Sequence, residues 1–485
     1  MGVQRAATSL ALLWISVAIS GCVSHSGIHG REHETSAHEL AFENDTASDG
    51  VFVTGDWPDA DWWSMFGDPR LDALISQALV DNPTLHAAEA RVRAAHSLAR
   101  AAHSSLLPTL DANATAGRER LSEHDLIYGP IGGSTINQGR IALDFSYDFD
   151  FWSKYRDTFA AALGEARAVE ADSAATRLVL ASAVAQTYFQ LQTDIAIAEV
   201  AKQTLAQREG LRDLNRQRSS RGLDTTIPSR QSDQQVSSSR VAVAAAVAAM
   251  QLDRHQLAAL VGLGPDAVLD VQPTLQTYEN MIALPTDLPA NLLARRPDVA
   301  AQRFRAEAAA ARIGVAKADF YPNVNLAAFV GLDALTLHSL HLFDAGSRVA
   351  GVSAAINLPL FEAGRLQAIL QGRYDEYDLA IAQYNQTLIN ALRQVADRIV
   401  DLRSVRRQLI DQVDARNAAA DAYRLTLDRY RAGLTNYLDV LVNEERLLAE
   451  RQKQAQLQGK SLTLAVELMW ALGGGYRAPT FDAGS

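Results

Sequence analysis

The chain of 485 residues is acidic, with 56 Asp plus Glu against 45 Lys plus Arg and a net charge of −11. This balance argues against a nucleic-acid partner, because phosphate binding requires a basic surface. The sequence contains no HExxH, GxSxG or Walker-type phosphate loop, so it predicts neither an enzyme nor a bound cofactor or metal.

The N-terminus has the pattern of a bacterial lipoprotein signal peptide, predicted over residues 1–21. Arg5 supplies a positive start, residues 10–19 form an apolar stretch, and small residues precede the single cysteine. We therefore predict that Cys22 becomes the lipidated N-terminus. An ordinary secretory signal that happens to contain a cysteine is the alternative.

A polar segment, residues 22–55, follows the predicted lipidation site. It contains four histidines: His25, His29, His33 and His38. Histidines at this spacing can bind a metal ion, but no fold is indicated that would hold the ligands in place. The composition instead favours a flexible, lipid-anchored linker to the folded body.

An internal repeat organises the rest of the chain. Three positions of the first half recur at a constant separation in the second half: Pro83, Pro108 and Gly117 as Pro297, Pro322 and Gly331. In each copy a proline opens an Ala-rich helix, a second proline closes it, and an apolar, β-prone run follows. We predict a first repeat over 56–262, a connecting segment over 263–290, a second repeat over 291–472 and a C-terminal tail over 473–485.

Each repeat is predicted to contain one β-hairpin, at about 107–151 and about 321–360. From Ile141 to Phe151 apolar residues alternate with polar ones, over a length that matches the roughly 9–11 residues of a tilted strand in a bilayer. A half-buried strand of a soluble sheet has the same period and is the alternative. The second hairpin alternates less strictly, because Val349 and Val352 break the period of two. Beyond the signal there is no run of eighteen apolar residues, so any membrane crossing has to use strands.

A long, proline-free helix is predicted after each hairpin, at about 153–218 and about 364–431. Apolar residues from Leu388 to Leu409 recur at a mean spacing of 3.5 residues, as in a coiled coil. The two helices end at related turns whose tips are Gly222 and Gly433, where a glycine supplies the left-handed cap. A second helix is expected to return from each tip.

Four predicted strands cannot close a barrel, since bacterial outer-membrane barrels begin at about eight strands. Lipid does not tolerate unpaired strand edges, so several chains would have to combine. Two chains would supply eight strands and three would supply twelve. The strand pattern by itself does not choose between them.

A set of short motifs carries a family resemblance. They are Trp62-Trp63, Phe66-Gly67-Asp68, Asn82-Pro83, Asp150-Phe151-Trp152, Arg295-Arg296-Pro297-Asp298, Phe320-Tyr321-Pro322, Gly364-Arg365 and Arg429-Tyr430 before Gly433. With these motifs the chain, from about Asp56 to its end, resembles the TolC family. More narrowly it is similar to the OprM-like (NodT-type) lipoprotein branch, the outer-membrane factors of tripartite RND efflux pumps. Ser153 departs from the family, which usually has glycine there.

The resemblance implies a mainly α-helical fold with a transmembrane β part. Four strands per chain would join a trimeric 12-stranded barrel in the bacterial outer membrane, above a coiled-coil periplasmic tunnel. The implied function is passive conduction of drugs or other small toxic compounds. The implied partners are two further copies of the chain, a periplasmic adaptor protein, an inner-membrane RND-type transporter and outer-membrane lipid. A type I secretion conduit and a lipid-anchored coiled-coil scaffold are the alternatives.

The resemblance also implies a periplasmic gate near the helix turns. Arg429, Tyr430 and Leu438 match the family pattern, whereas Val442 stands where the family has an acidic residue. Asp439 and Glu444 are the candidates to replace that acid, and Asp439 completes the predicted gate.

Arg429 and Tyr430 have a second interpretation, in which they only cap helices and cover apolar surface. Pro108 and Pro322 are predicted to mark the transition from barrel to tunnel. The transported substrates are not readable from the sequence, because a wide passive tunnel has no specific pocket.

Overall fold

The computed structural model describes residues 24–35, 52–124, 132–267, 271, 282–285, 295–336 and 341–478. The predicted signal peptide and Cys22 lie outside these residues. The described residues within 1–34, 92–168 and 302–384 form one compact unit, and those within 35–91, 169–301 and 385–485 form a second. Each unit draws on both predicted repeats, so the repeat boundaries stay predictions.

Helices make up most of the described chain. They are α1 (Pro69–Asp81), α2 (Pro83–Ser104), α3 (Lys154–Ser220), α4 (Thr226–Val261), α5 (Pro297–Ala318), α6 (Arg365–Arg431) and α7 (Tyr437–Ala471). The strands are β1 (Phe52–Thr54), β2 (Thr109–Arg120), β3 (Thr135–Phe149), β4 (Ile282–Leu284), β5 (Asn323–Thr336) and β6 (Arg348–Asn357). Short 3-10 turns lie at Trp62–Phe66 and Ala345–Ser347. None of these described helices is both long and apolar enough to span a bilayer.

The two long helices, α3 and α6, have 67 residues each, or about 100 Å at 1.5 Å per residue. Their predicted bounds are met within two residues. The predicted seam of α6 faces the core, because Leu388, Val395 and Leu402 are buried. Prolines start α1, α2 and α5 at the first helical position, where the missing N–H costs no helical hydrogen bond.

The two predicted hairpins are confirmed and lie side by side in one antiparallel sheet of order β2-β3-β5-β6. A row across all four strands pairs Leu110 with Phe145, Phe145 with Ala328, and Ala328 with Val352. Directly paired residues share a face, so this register gathers the apolar side chains on one side of the sheet. The short strands β1 and β4 pair in parallel and separately.

The register explains the weak alternation of the second hairpin. Val352, Ala354 and Ile356 are two residues apart along β6, so all three lie on the apolar face. Val349 is an odd number of residues from them and points to the opposite face. Both Val352 and Ile356 are exposed in a single chain, at 78% and 72%. Within the sheet described, β2 and β6 are the edges, so the sheet has an exposed apolar face and two edges to cover.

Part of the predicted flexible linker makes specific contacts. The Asp378 carboxylate of α6 accepts the backbone N–H of Arg31 at 3.0 Å and of Glu32 at 3.2 Å. Ile28 packs against the cluster that contains Phe320 and Leu366. Residues 24–34 therefore differ from the flexible segment that their composition predicts, because the partly buried Ile28 side chain and the Asp378 carboxylate hold them on the first unit.

Ser153 has a positive φ of 63°, between the end of β3 and the start of α3. This left-handed conformation costs a residue with a Cβ roughly 1–2 kcal/mol, which accounts for the glycine usual here in the family. We expect Ser153→Gly to stabilise the protein by about 0.5–1 kcal/mol, after the greater chain entropy of glycine is subtracted. Thermal unfolding followed by circular dichroism would check this. Ser105→Gly is the control, because Ser105 has no positive φ and should show no gain.

Candidate functional site at the two helix turns

The two helix turns of the second unit have the same local structure. Gly222 has a φ of 70° and Gly433 a φ of 74°. The next residue closes each turn: Leu223 N–H donates to Arg218 O at 2.9 Å, and Leu434 N–H to Arg429 O at 2.8 Å. These bonds satisfy the last carbonyls of α3 and α6 and need the left-handed residue that glycine supplies. Leu223 and Leu434 are exposed at the tips.

Tyr430 is the most buried member of the predicted gate, at 1% exposure. Its hydroxyl donates to Asn215 Oδ1 of α3 at 2.7 Å and lies 3.3 Å from Asp224 Oδ2 in the first turn. The Arg218 guanidinium carbon lies 4.9 Å from the ring centroid. Burial first, and then the Asp224 carboxylate, raise the Tyr430 pKa to about 12, so the hydroxyl stays a proton donor at neutral pH.

Asp224 connects the elements around Tyr430. Arg218 Nε lies 3.4 Å from Asp224 Oδ2, the same oxygen that faces the tyrosine hydroxyl. Asn215 in turn donates to Pro228 O at 3.4 Å, close to the start of α4. Tyr430 thereby joins α6, in the second repeat, to the α3–α4 turn, in the first repeat.

The other predicted gate residues lie apart from Tyr430. Arg429 and Leu438 are exposed, as is Val442. The Arg429 side chain makes no hydrogen bond or ion pair with the residues that the structure describes. Of the predicted gate residues on α6 and α7, Tyr430 is therefore buried within the chain, whereas Arg429 and Leu438 are on its surface.

Asp439 has a local role in the structure. Its N–H donates to Asn436 Oδ1 at 3.0 Å, and its carboxylate accepts a short hydrogen bond from Thr435. Both contacts start α7 after the Gly433 turn, as in an N-terminal cap. Asp439 is exposed, so these contacts leave it available to a neighbouring molecule.

Glu444, the other candidate for the missing acid, is buried and cannot face a tunnel. Its Oε2 lies 3.0 Å from Arg208 Nε, and both side chains are less than a tenth exposed. Arg208 also donates to Ser239 Oγ at 3.1 Å, so the pair ties α7 to α3 and α4. Burial raises the Glu444 pKa, while the Arg208 charge opposes the rise. In the sequence, Glu444 lies three residues from Leu441 and three from Leu447, on the same apolar face of α7. A charged residue at such a position indicates a buried ion pair.

The predicted transition prolines lie directly before strands. Pro108 precedes β2 and Pro322 precedes β5. The Trp152 indole N–H donates to Pro322 O at 2.9 Å, and the Trp152 ring stacks on Tyr321 with centroids 4.5 Å apart. At the second joint, the Trp152 side chain therefore holds the chain on both sides of the Tyr321–Pro322 bond.

The motif around Arg296 has a structural role. The Arg296 guanidinium is buried and holds Asp298 with two nitrogens, at 3.0 and 2.7 Å. Its third nitrogen donates to Gln394 Oε1 at 2.9 Å and to Ala471 O at 3.2 Å. This one side chain joins the start of α5 to α6 and to the end of α7.

No three metal-ligating side chains come together in the described part of the chain, which includes His25, His29 and His33 but not His38.

Comparison with known proteins gives concordant matches. The family described as "Outer membrane efflux protein" matches twice, over residues 74–263 and 288–474, which follows the internal repeat. The multidrug resistance outer membrane protein MdtP of Escherichia coli K12 is 30% identical over 477 residues, 96% of each chain. The fusaric acid resistance protein FusA of Burkholderia cepacia is 33% identical over 365 residues, 75% of this chain and 68% of the relative. The crystal structure of the outer membrane protein VceC of Vibrio cholerae superposes with a TM-score of 0.80 at 36% identity, covering 87% of this chain and 100% of that one.

Proposed function

Since the chain belongs to the outer membrane efflux protein family, and is an outer-membrane channel of a tripartite efflux pump, we propose that it conducts drugs or other small toxic compounds passively to the outside. Relatives described by resistance to several drugs and to fusaric acid support this substrate range. In this proposal the chain performs no chemistry, and the inner-membrane partner supplies the driving force.

Family members are trimers that work with a periplasmic adaptor and an RND pump. We propose the same partners here, with a lipid at Cys22 as a further anchor in the outer membrane. The four-stranded sheet supports the trimer, because its apolar face runs across every strand while β2 and β6 are left as edges. Three such sheets would close at twelve strands, with the apolar face towards lipid and the polar face towards the lumen. This two-faced sheet is the observation that carries the proposed channel.

The helix turns are proposed to close the periplasmic end. The hydrogen bonds of Tyr430 hold the second helix pair to the first turn within one chain. Exposed Arg429, Leu438 and Val442 would meet their counterparts in neighbouring chains. Because Val442 is apolar where the family resemblance implies an acid, the closed state would depend more on Tyr430 than on an ion pair of Arg429.

The polar face of the sheet predicts cation selectivity. It carries Asp111, Asp144, Asp148 and Asp333 against Arg140, and rings of carboxylates favour cations in a pore. We expect purified trimers in planar bilayers to show a small conductance whose reversal potential in a KCl gradient indicates preference for K⁺. The double variant Asp144→Asn/Asp148→Asn should reduce that preference.

Asp397→Asn is the control for this measurement, since Asp397 pairs with Arg393 on a helix surface and should leave selectivity unchanged. Anion preference in the unmodified channel would contradict the lumen assignment. Absence of conductance in every variant would favour the lipid-anchored scaffold over a channel.

A further inference from the structure

A cavity of about 390 Å³ lies in the first unit, next to the ends of β3, β5 and β6. Two ion pairs form much of its polar lining. Lys154 Nζ lies 2.8 Å from Asp319 Oδ1, and Arg365 Nε lies 2.7 Å from Glu362 Oε2. The cavity therefore presents two cations and two carboxylates from different segments, without a net charge from these four groups.

These ion pairs are able to exchange partners. All four side chains are between about a third and three-fifths exposed, and ion pairs in such positions contribute only about 0–1 kcal/mol. Asp150, which also lines the cavity, is engaged differently. Its carboxylate accepts the backbone N–H groups of Tyr155 at 3.1 Å and Arg156 at 2.9 Å, and it pairs with the Arg156 side chain.

The rim of the cavity is aromatic and apolar. Trp152 and Tyr321 stack at its edge, and the Trp152 N–H is fixed on Pro322 O. Nearby in the chain, Phe151, Leu360 and Phe361 are exposed, with Phe361 at 83%. Exposed aromatic residues next to an apolar strand face are typical of the level of the lipid headgroups. Of the strand residues that line the cavity, Phe149 belongs to the apolar face and Asn323 and Asn357 to the polar face, so the cavity lies at the end of the sheet where the two faces meet.

We propose that this cavity binds the headgroup of a zwitterionic phospholipid with a primary ammonium, of the phosphatidylethanolamine type, from the periplasmic leaflet of the outer membrane. Lys154 and Arg365 receive the phosphate, and Asp319 and Glu362 receive the ammonium. The acyl chains then lie beside Phe361 and the apolar strand face. An anionic headgroup would satisfy the two cations but leave both carboxylates facing a negative ligand, so the charge pattern selects the zwitterion.

The test is native mass spectrometry of the detergent-solubilised trimer, titrated with phosphatidylethanolamine or phosphatidylglycerol. We expect phosphatidylethanolamine to bind about tenfold more tightly, and the double variant Lys154→Gln/Arg365→Gln to weaken both lipids by about tenfold or more. The double variant Asp319→Asn/Glu362→Gln keeps both cations, so it should remove the preference and leave phosphatidylglycerol bound. Arg393→Gln is the matched control, because it breaks an exposed ion pair whose residues do not line the cavity.

Equal binding of the two lipids to the unmodified protein would overturn the proposal, as would unchanged binding in both double variants. Size-exclusion chromatography of each variant adds a second readout. Loss of the trimer in the double variants, together with no lipid retained by the unmodified protein, would assign the cavity to a neighbouring copy of the chain and also overturn the proposal.

Discussion

Replacing Glu444 with leucine is expected to lower the free energy of unfolding by about 3–5 kcal/mol, because Arg208 is left as a buried charge without an opposite charge beside it. Glu444 is 3% exposed, and its carboxylate is the group that faces the Arg208 guanidinium at 3.0 Å. Chemical denaturation of the solubilised full-length protein, followed by helical circular dichroism, measures the loss. The double variant Arg208→Met/Glu444→Leu, in which both partners become apolar, should recover most of the stability, since no unpaired charge remains.

An exposed ion pair of the same type serves as the control that distinguishes the effect of burial from the effect of losing a charge. Arg393 and Asp397 are 2.7 Å apart but exposed, so Asp397→Leu should cost about 0–1 kcal/mol. If Glu444→Leu cost no more than this, or if the double variant were as unstable as the single one, the buried pair would not have the role assigned to it.

The same pair predicts a dependence of stability on pH. Burial raises the Glu444 pKa above its ordinary value, with Arg208 opposing, so the folded state binds this proton more readily than the unfolded state. The stability contributed by this proton is fully present below the ordinary glutamate pKa. It is lost as the pH rises through the raised folded value. Glu444→Gln should lack this slope, and the difference between the two pH profiles measures it.

The sequence predicts the helices, strands and turns well because their signals are local. Pro83 and Pro297 predict the starts of two helices, and the alternation from Ile141 to Phe149 predicts a strand, each from a single segment of the sequence. Gly222 and Gly433 predict the tips, because the turns need a residue with a positive φ. The contacts that cross between segments are not accessible in this way. Arg208 and Glu444 are 236 residues apart, and they meet only when α3, α4 and α7 pack together.

The gate shows the same division between local and long-range signals. The pattern Arg429-Tyr430 before Gly433 identifies the right turn, but it does not show that adjacent residues face opposite environments. Tyr430 is buried in a cluster with Tyr437 and Val440, and Asn215, from the other repeat, accepts the hydrogen bond of its hydroxyl there. The contacts of residues 24–34 are missed for a related reason, since their polar composition gives no sign of the carboxylate of Asp378.

Tyr430→Phe is expected to increase channel conductance more than any other single change at the turns. It keeps the ring in the core but removes the hydroxyl that joins α6 to Asn215 and Asp224. Loss of a buried hydrogen bond of about 1–3 kcal/mol from the closed state raises the ratio of open to closed channels about 5- to 150-fold. Single-channel recording in planar bilayers measures the open fraction. Tyr423→Phe is the control, because Tyr423 lies in the same cluster without a hydrogen bond to the first turn among the described residues.

Comparing the effects of Arg429→Ala and Tyr430→Phe on the open fraction tests whether the closed state depends mainly on Tyr430. Arg429 is exposed, and Val442 stands where the family resemblance implies an acid, the group that would attract such a cation across a chain boundary. Arg429→Ala should therefore raise the open fraction less than Tyr430→Phe, although both residues stand at the same turn. The reverse order would mean that Arg429 finds another carboxylate in the trimer, with Asp439 as the exposed candidate. In that case Asp439→Asn should reproduce the effect of Arg429→Ala, whereas our assignment expects Asp439→Asn only to weaken the start of α7.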